Sequence, residues 1–193
     1  MEYYLTDSYI HVFIEHCYIS TGDDANVTKS GWDEYGIAFR RPNSNIIIHR
    51  IVFQSHTSAG IALGSEMSGR ITNILVADLI IFNTEIAINV KMYASIGGCV
   101  RDIFISNVTM NNVKYAIGFT GLYGDHHDDR YDPDALPVVD KIIFRDIVGE
   151  NITISCHFNG IQKAPFSNIC MSNIFFTVTS EVAWSCSSVS QRF

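Results

Sequence analysis

Short apolar segments alternate with polar residues along most of this chain. One seven-residue pattern recurs: Asn or Asp, then Ile, with further apolar residues alternating with polar or variable ones. Four copies are clear, Asn45–Ile51, Asn73–Leu79, Asp102–Val108 and Asn168–Ile174, and two are looser, His11–Cys17 and Lys141–Ile147. Apolar residues that alternate in this way are typical of a β-strand with one buried face.

The spacing of the copies indicates a repetitive architecture. From the first apolar residue of one copy to that of the next, the steps are 34, 28, 29, 39 and 27 residues. A second strand signal lies between most copies, at Gly36-Ile-Ala, Gly60-Ile-Ala-Leu, Ala87-Ile-Asn-Val, Ala116-Ile-Gly-Phe and Gly160-Ile-Gln. Two or more short strands per repeat predict the coils of a parallel β-helix. An antiparallel sandwich is the alternative, but the recurrence of sequence, and not only of hydrophobicity, favours the solenoid.

We therefore predict an all-β protein with one parallel β-helix domain over residues 1–193. The recurring Asn and Asp residues are expected to stack at the turns of successive coils and to hydrogen-bond the backbone. The longest step holds a polar, Pro-interrupted insertion at about 124–137, which predicts a surface loop.

Composition excludes several classes of protein. Of the 193 residues, 47% are hydrophobic and 17% charged, which excludes disorder as the default state. No apolar run approaches the roughly 18 residues of a membrane span. The net charge of −7 argues against nucleic acid as a partner. The first residues lack the features of a signal peptide, so we expect either a cytosolic chain or one that lacks its natural start.

Neither the cysteines nor the polar loop indicates a metal site. The five cysteines contain no Cys-x-x-Cys pair. His126, His127, Asp128 and Asp129 follow one another on the predicted loop, where a solvated loop is the better interpretation than a metal site. Three Asn-x-Ser/Thr sequences, at Asn26, Asn107 and Asn151, are candidate glycosylation sites and give weak support for a secretory origin.

The adjacent acids Asp23 and Asp24 are the most informative chemical feature. They follow Gly22 at the end of a predicted strand. Two carboxyl groups in different environments are what glycosidic hydrolysis requires, since one protonates the leaving oxygen and the other activates water. By itself, however, such a pair is more often a solvated turn or a helix cap.

The sequence around this pair resembles plant polygalacturonases, which are pectin hydrolases. The resemblance spans nearly the whole chain and rests on five segments, Tyr18–Asp24, Lys29–Ile37, Ala59–Gly69, Tyr131–Pro137 and Trp184–Ser190. It implies a right-handed parallel β-helix that hydrolyses α-1,4-linked galacturonan with inversion and without a cofactor. It covers only the C-terminal part of such an enzyme, so we expect an N-terminally truncated solenoid.

The resemblance also implies roles for three carboxylates. Asp23 matches the general acid, and Asp24 matches a residue that helps to activate water. Glu2 lies where the family has a third carboxylate, as a longer side chain near a terminus.

Two other family motifs are altered. The Gly-His-Gly motif is Ser58-Ala59-Gly60 here, so a histidine is lost, and a compensating role for nearby His56 is speculative. The Arg-Ile-Lys motif is Asn89-Val-Lys91: Lys91 retains a charge for a galacturonate carboxylate, whereas Asn89 lacks the bidentate contact of an arginine.

The resemblance bears on the aromatic and cysteine residues too. Trp32 and Tyr35 are candidates to stack on sugar faces, or else they support the turn after Lys29. Cys170 and Cys186 match a C-terminal disulfide of the family, while Cys17 or Cys99 lacks a usual partner because Ala25 replaces a cysteine.

Three functions follow as hypotheses. The first is a shortened polygalacturonase with an eroded active site, acting on pectin in the cell wall after secretion of its full-length parent. The second is a non-catalytic β-helix that binds pectin or acts as a decoy. The third is a remnant without separate function, whose open N-terminal end leads to self-association.

Overall fold

The computed structural model describes residues 4–124 and 129–190. It contains eleven strands and one short helix in the described residues. In chain order these are β1 (Tyr4–Asp7), β2 (Ile10–Glu15), β3 (Tyr18–Thr21), β4 (Asn26–Lys29), α1 (Asp33–Phe39), β5 (Asn43–Ser55), β6 (Ala59–Leu63), β7 (Ile71–Lys91), β8 (Cys99–Thr120), β9 (Val138–Asn159), β10 (Ser167–Val178) and β11 (Trp184–Ser187).

All pairs between these strands are parallel, and each long strand stacks on its counterpart one coil away. β5 pairs with β7, β7 with β8, β8 with β9, and β9 with β10 and β11. The chain therefore winds as a parallel β-helix, which confirms the predicted solenoid and excludes the antiparallel sandwich.

The predicted repeat is confirmed residue by residue. The first apolar residues of the six copies stand in one register column, formed by Val12, Ile46, Ile74, Ile103, Ile142 and Ile169. The side chains of one column point to the same side of the coil wall, and neighbouring columns alternate between the interior of the coil and its outer surface. Ile, Val, Leu and Phe side chains fill the interior as one continuous core.

Two of the five second-strand signals are wrong. Gly36-Ile-Ala lies inside α1, where acidic residues occupy the first turn and Arg40 closes the last turn with φ 53°. Gly160-Ile-Gln falls beyond the end of β9. The register column of Ile61, Ile88 and Ile117 continues instead at Cys156. Local glycine and isoleucine do not distinguish a strand from a short helix or a bridge.

The predicted Asn and Asp ladders exist, but their contacts differ from the expectation. Asn107 donates to Asp78 at 2.6 Å, and Asn112 donates to Asn83 at 2.7 Å. The side chains thus bond to each other between coils. All four residues have φ between 47° and 56°, the left-handed region that Asn and Asp tolerate best after Gly.

We expect Asn112→Ala to lower the free energy of unfolding by about 1–2 kcal/mol, because alanine loses the hydrogen bond and is strained at positive φ. Asn112→Gly loses the same bond but relieves the backbone, and is expected to be the milder change. Urea denaturation of both variants measures the difference. Equal losses would mean that backbone conformation does not contribute here.

The predicted insertion accounts for the longest step between repeats. Thr120 ends β8 and Val138 begins β9, and the described residues between them contain no strand. His126, His127 and Asp128 lie outside the described residues.

No helix in the described part of the chain has the length and apolar character to cross a membrane. That residues 1–193 form a single domain stays a prediction.

Candidate active site

Asp23 and Asp24 lie in the turn between β3 and β4, as the sequence predicts. Ser55 anchors this turn, since its hydroxyl donates to the backbone oxygen of Asp23 at 2.7 Å. One carboxylate oxygen of Asp23 accepts the backbone amide of Asp24 at 2.8 Å. The turn therefore holds two consecutive carboxyl groups in different surroundings: the Asp23 side chain is exposed, whereas Asp24 is 5% exposed.

The Asp24 carboxylate is fully engaged with its surroundings. Its Oδ1 atom accepts the Ser58 hydroxyl at 2.5 Å and the Ala59 backbone amide at 3.0 Å. Its Oδ2 atom forms an ion pair with Lys91, which is 8% exposed. Sixty-seven residues separate Asp24 and Lys91 in the sequence. The coiling of the chain thus creates a buried ion pair at Oδ2, and both oxygens of the carboxylate have donors from the protein.

Burial alone would raise the pKa of Asp24, but its neighbours outweigh that effect. The charge and hydrogen bond of Lys91, the Ser58 hydroxyl and the Ala59 amide all stabilise the ionised form. The net result is a pKa below the ordinary value of 3.8. Asp24 is therefore an anion at neutral pH.

The alternation of β7 determines which side chains join this site. Ile88 and Val90 belong to the interior core, so Asn89 and Lys91 project from the opposite face. Asn89 stands in register with Ala62 on one side and Gly118 on the other. Lys91 also lies over the ring of Tyr123, 5.0 Å from its centroid, in a cation–π contact.

Sequence reasoning missed three groups that contact Asp24 or Lys91. The alanine at position 59 was expected to provide no hydrogen bond, and its side chain provides none, but its backbone amide and the Ser58 hydroxyl bind Asp24. Tyr123 was not predicted either. No residue pattern identifies it, because its position over Lys91 depends on the turn that follows β8.

The two aromatic candidates lie elsewhere. Trp32 is half-buried and packs against Tyr93, with ring centroids 5.9 Å apart. Tyr35 is exposed on α1. Both line a groove of about 610 Å³ together with Asp7 and other residues, and that lining includes neither Asp24 nor Lys91. The structure therefore joins Asp24 to Lys91, with Asp23 preceding Asp24 in the turn and Asn89 two residues before Lys91 on β7, whereas Trp32 and Tyr35 line a different groove.

Glu2 and His56 are the remaining candidates, and the structure describes only His56. Glu2 lies outside the described residues. His56 is exposed, and its Nε2 atom lies 2.9 Å from Nε2 of Gln54. Its contact is therefore with a neighbouring side chain, and a compensating role stays a prediction.

The predicted disulfide is absent, because Cys170 and Cys186 are both free and exposed. The geometry explains this. Cys170 pairs with Ile143 on β9, and Cys186 pairs with Phe158. These partners are 15 residues apart on β9 (158 − 143), about half of a coil, so the two thiols lie on different faces. Cys186 is instead a neighbour of buried Cys156, whose pKa burial raises to about 12.

Only some of the candidate glycosylation sites are accessible. Asn26 is 1% exposed, so the folded chain leaves no room for a glycan there. Its side chain makes no hydrogen bond within the described residues. Asn107 is exposed but donates to Asp78, and Asn151 is exposed. Asn26 is therefore corrected to an interior residue, whereas glycosylation of Asn107 and Asn151 stays a prediction.

The described residues contain no group of three or more His, Cys, Asp or Glu side chains arranged to hold a metal ion. The chemistry available at the Asp24 site is that of carboxyl groups, an ammonium group and hydroxyls.

Comparison with known proteins identifies the family. Residues 6–193 match the family described as "Glycosyl hydrolases family 28". The chain belongs to this family. It is 43% identical over 186 residues to a "Probable polygalacturonase" of Vitis vinifera, covering 95% of this chain and 38% of that protein. It is 29% identical over 183 residues to an "Endo-polygalacturonase" of Pectobacterium carotovorum subsp. carotovorum, covering 94% and 41%.

Solved structures of two exopolygalacturonases share the fold. A hyperthermoactive exopolygalacturonase from Thermotoga maritima superposes with a TM-score of 0.79 at 26% identity, over 89% of this chain and 38% of that one. The exopolygalacturonase of Yersinia enterocolitica gives a TM-score of 0.67 at 16% identity, over 96% and 37%, which supports the fold alone. These neighbours are right-handed parallel β-helices. The chain thus has the predicted fold and spans about two fifths of the length of these relatives.

Proposed function

We propose that this chain carries the acid-catalytic part of a polygalacturonase that hydrolyses α-1,4-linked galacturonan, with inversion at the anomeric carbon. The observation that carries the proposal is the Asp23–Asp24 turn. One carboxyl group is exposed and the other is buried and ionised beside Lys91. Two carboxyl groups in contrasting environments suit the division of labour in glycosidic hydrolysis.

In this proposal Asp23 donates a proton to the leaving glycosidic oxygen. Its side chain faces solvent, and its only hydrogen bond within the described residues is to the Asp24 amide. Asp24 helps to polarise the attacking water by its negative charge and positions Lys91. The ammonium group of Lys91 has three donors, so the bond to Asp24 leaves others for a galacturonate carboxylate.

A second candidate function is a family 28 β-helix that binds pectin without hydrolysing it. The specific observation in its favour is that both Asp24 oxygens have protein donors. A carboxylate held in this way is a poorer acceptor for a proton of water. Asn89 also lacks the charge of the arginine that the family resemblance would put there.

The deciding assay measures new reducing ends released from polygalacturonic acid by the purified chain. If the proposal is correct, Asp23→Asn lowers the rate by about 10²-fold or more, because it removes the proton donor. Glu150→Gln serves as the matched control, since it removes an exposed carboxyl far along β9 from the site and leaves the rate unchanged. An unchanged rate in the Asp23 variant would contradict the role of Asp23 as proton donor, and absence of release by the parent chain would contradict the hydrolase. Binding without turnover would favour the second candidate.

Two finer features of the whole protein are part of the same proposal. One is secretion to the cell wall, which is supported by the family alone. The other is self-association through the N-terminal edge, which is supported by the exposed apolar residues Tyr4, Leu5, Ile10 and Phe13 on β1 and β2. Within the described residues β1 pairs only with β4, and β2 pairs only with β5.

A further inference from the structure

A cavity rich in arginine lies apart from the Asp23–Asp24 turn. Its volume is about 930 Å³, and it forms where β7, β8 and β9 begin, whereas Lys91 stands where β7 ends. We call it the arginine pocket, because Arg40, Arg70 and Arg101 line it. Neither Asp23, Asp24 nor Lys91 belongs to that lining.

The coil register brings the arginines of the pocket together. Ile71 pairs with Val100, so Arg70 stands opposite Cys99, and Arg101 follows two residues later on the neighbouring coil. Neighbouring coils of a parallel sheet are about 5 Å apart. Arg40 joins them from the end of α1, where its backbone is in the left-handed region with φ 53°.

The buried thiol of Cys99 lies close to Arg70 and Arg101, as their influence on its pKa indicates. Burial raises its pKa, and the positive charges of Arg101 and Arg70 act against that rise. Both guanidinium groups are therefore close enough to one point in the pocket to influence its electrostatics.

Most of this positive charge is not neutralised by the protein. Arg40 and Arg70 form no ion pair within the described residues, and Arg101 has a contact of 3.4 Å with Asp102. One carboxylate, Asp134, is part of the lining. A local excess of positive charge is unusual on a chain whose net charge is −7, and it opposes the repulsion that a polyanion would otherwise meet.

The chemistry of the lining indicates a ligand that bears carboxylates on an apolar frame. Guanidinium groups bind carboxylates through two parallel hydrogen bonds. Ile37, Leu136 and Val138 add apolar surface suited to the C–H face of a sugar ring. We propose that the arginine pocket binds an acidic oligosaccharide, as a second galacturonan site apart from the Asp23–Asp24 turn. The identity of the sugar rests on the proposed function.

A second attachment point has a specific consequence. A polymer long enough to occupy both sites binds more tightly than a short fragment, since the second contact becomes intramolecular. The arginine pocket is therefore expected to matter for long galacturonan and little for turnover of a short oligomer.

The test compares two double variants by calorimetric titration with a long oligogalacturonate. Arg70→Gln/Arg101→Gln removes two pocket arginines, and Arg50→Gln/Arg145→Gln removes two exposed arginines outside the pocket. We expect binding at least about tenfold weaker in the first and within about twofold of the parent in the second. Arg70→Lys/Arg101→Lys, which keeps the charge but loses the planar fork, is expected to fall between them. Thermal melting verifies that each variant is folded.

Hydrogen–deuterium exchange localises the ligand independently of activity. Oligogalacturonate should protect segments 97–101 and 134–138 in the parent chain and not in Arg70→Gln/Arg101→Gln. Equal weakening in both Arg→Gln double variants, or absence of protection there, would overturn the proposal. Equal protection by polyglutamate would overturn the saccharide assignment. Protection in a chain without hydrolytic activity would support the pocket while refuting the hydrolase, so the two failures are distinguishable.

Discussion

Lys91→Met is expected to lower the free energy of unfolding by about 3–5 kcal/mol at neutral pH, because it leaves Asp24 as a buried charge without its counter-ion. The side chains of both members are largely buried, with exposures of 9% and 8%, so the remaining charge would be poorly hydrated. Urea denaturation measures the loss. The slope of the free energy of unfolding against urea concentration should stay unchanged if the variant still unfolds in one step.

The matched double variant separates charge from packing. In Asp24→Asn/Lys91→Met the buried charge is gone, and most of the lost stability should return. Lys114→Met is the surface control: it breaks an exposed ion pair with Glu85, whose atoms are 2.8 Å apart, and should change stability little. If the double variant is as unstable as Lys91→Met, the loss comes from packing and the account of the ion pair is wrong.

The same pair predicts opposite responses to acid. In the parent chain the pKa of Asp24 is lower than its ordinary value of 3.8. The ionised carboxylate therefore contributes to the stability of the fold above pH 3.8, and this contribution is lost as the pH falls through the pKa of the folded state. Lys91→Met removes the charge and the hydrogen bond of Lys91, which lower the pKa of Asp24, while burial, the largest influence, still acts to raise it; we therefore expect a higher pKa in the variant. Protonation then relieves the buried charge, so Lys91→Met should gain stability relative to Asp24→Asn/Lys91→Met as the solution is acidified.

Phe119→Ala is the second change with a large expected effect, about 3–5 kcal/mol. Phe119 is fully buried in the coil interior, where its ring centroid lies 4.7 Å from that of Phe158, 5.6 Å from Phe166 and 6.1 Å from Phe144. The substitution leaves a cavity among the rings of Phe144 and Phe158 on β9 and of Phe166 just before β10, and removes their edge and tilted contacts.

Phe175→Ala provides the matched comparison, because it deletes the same atoms at a position that is 66% exposed on β10. We expect it to change the free energy of unfolding by no more than about 0.5 kcal/mol. Chemical denaturation of both variants gives the contrast. Similar losses would indicate that the stacked rings contribute no more than exposed apolar surface.

The fold was predictable because a solenoid repeats a local rule. Each coil buries the same alternate positions, so the column that includes Val12, Ile46 and Ile74 could be aligned from the sequence alone. The rule failed where the local signal is ambiguous. Gly36-Ile-Ala became part of a helix because its neighbours at the turn, and not its own residues, determine its conformation.

The site was predictable only in part. The resemblance pointed to Asp23, Asp24, Asn89 and Lys91, and the structure shows the contact between Asp24 and Lys91. The resemblance could not indicate that the backbone amide of Ala59 binds Asp24. A backbone amide is present in every residue except proline, so the residue type does not reveal such a donor. The resemblance also suggested a bond between Cys170 and Cys186, although half a coil separates their positions.

The sequence by itself determined the period of the coil, the alternation of its faces and the family motif Gly22-Asp23-Asp24, because each depends on residues close together along the chain. Only the tertiary structure decided that Asp24 pairs with Lys91, that Tyr123 covers that lysine, and that Arg70 and Arg101 share a pocket. Those contacts join residues from different coils. Such contacts form only if all the turns between the two residues have the right lengths, and a local sequence pattern does not contain that information.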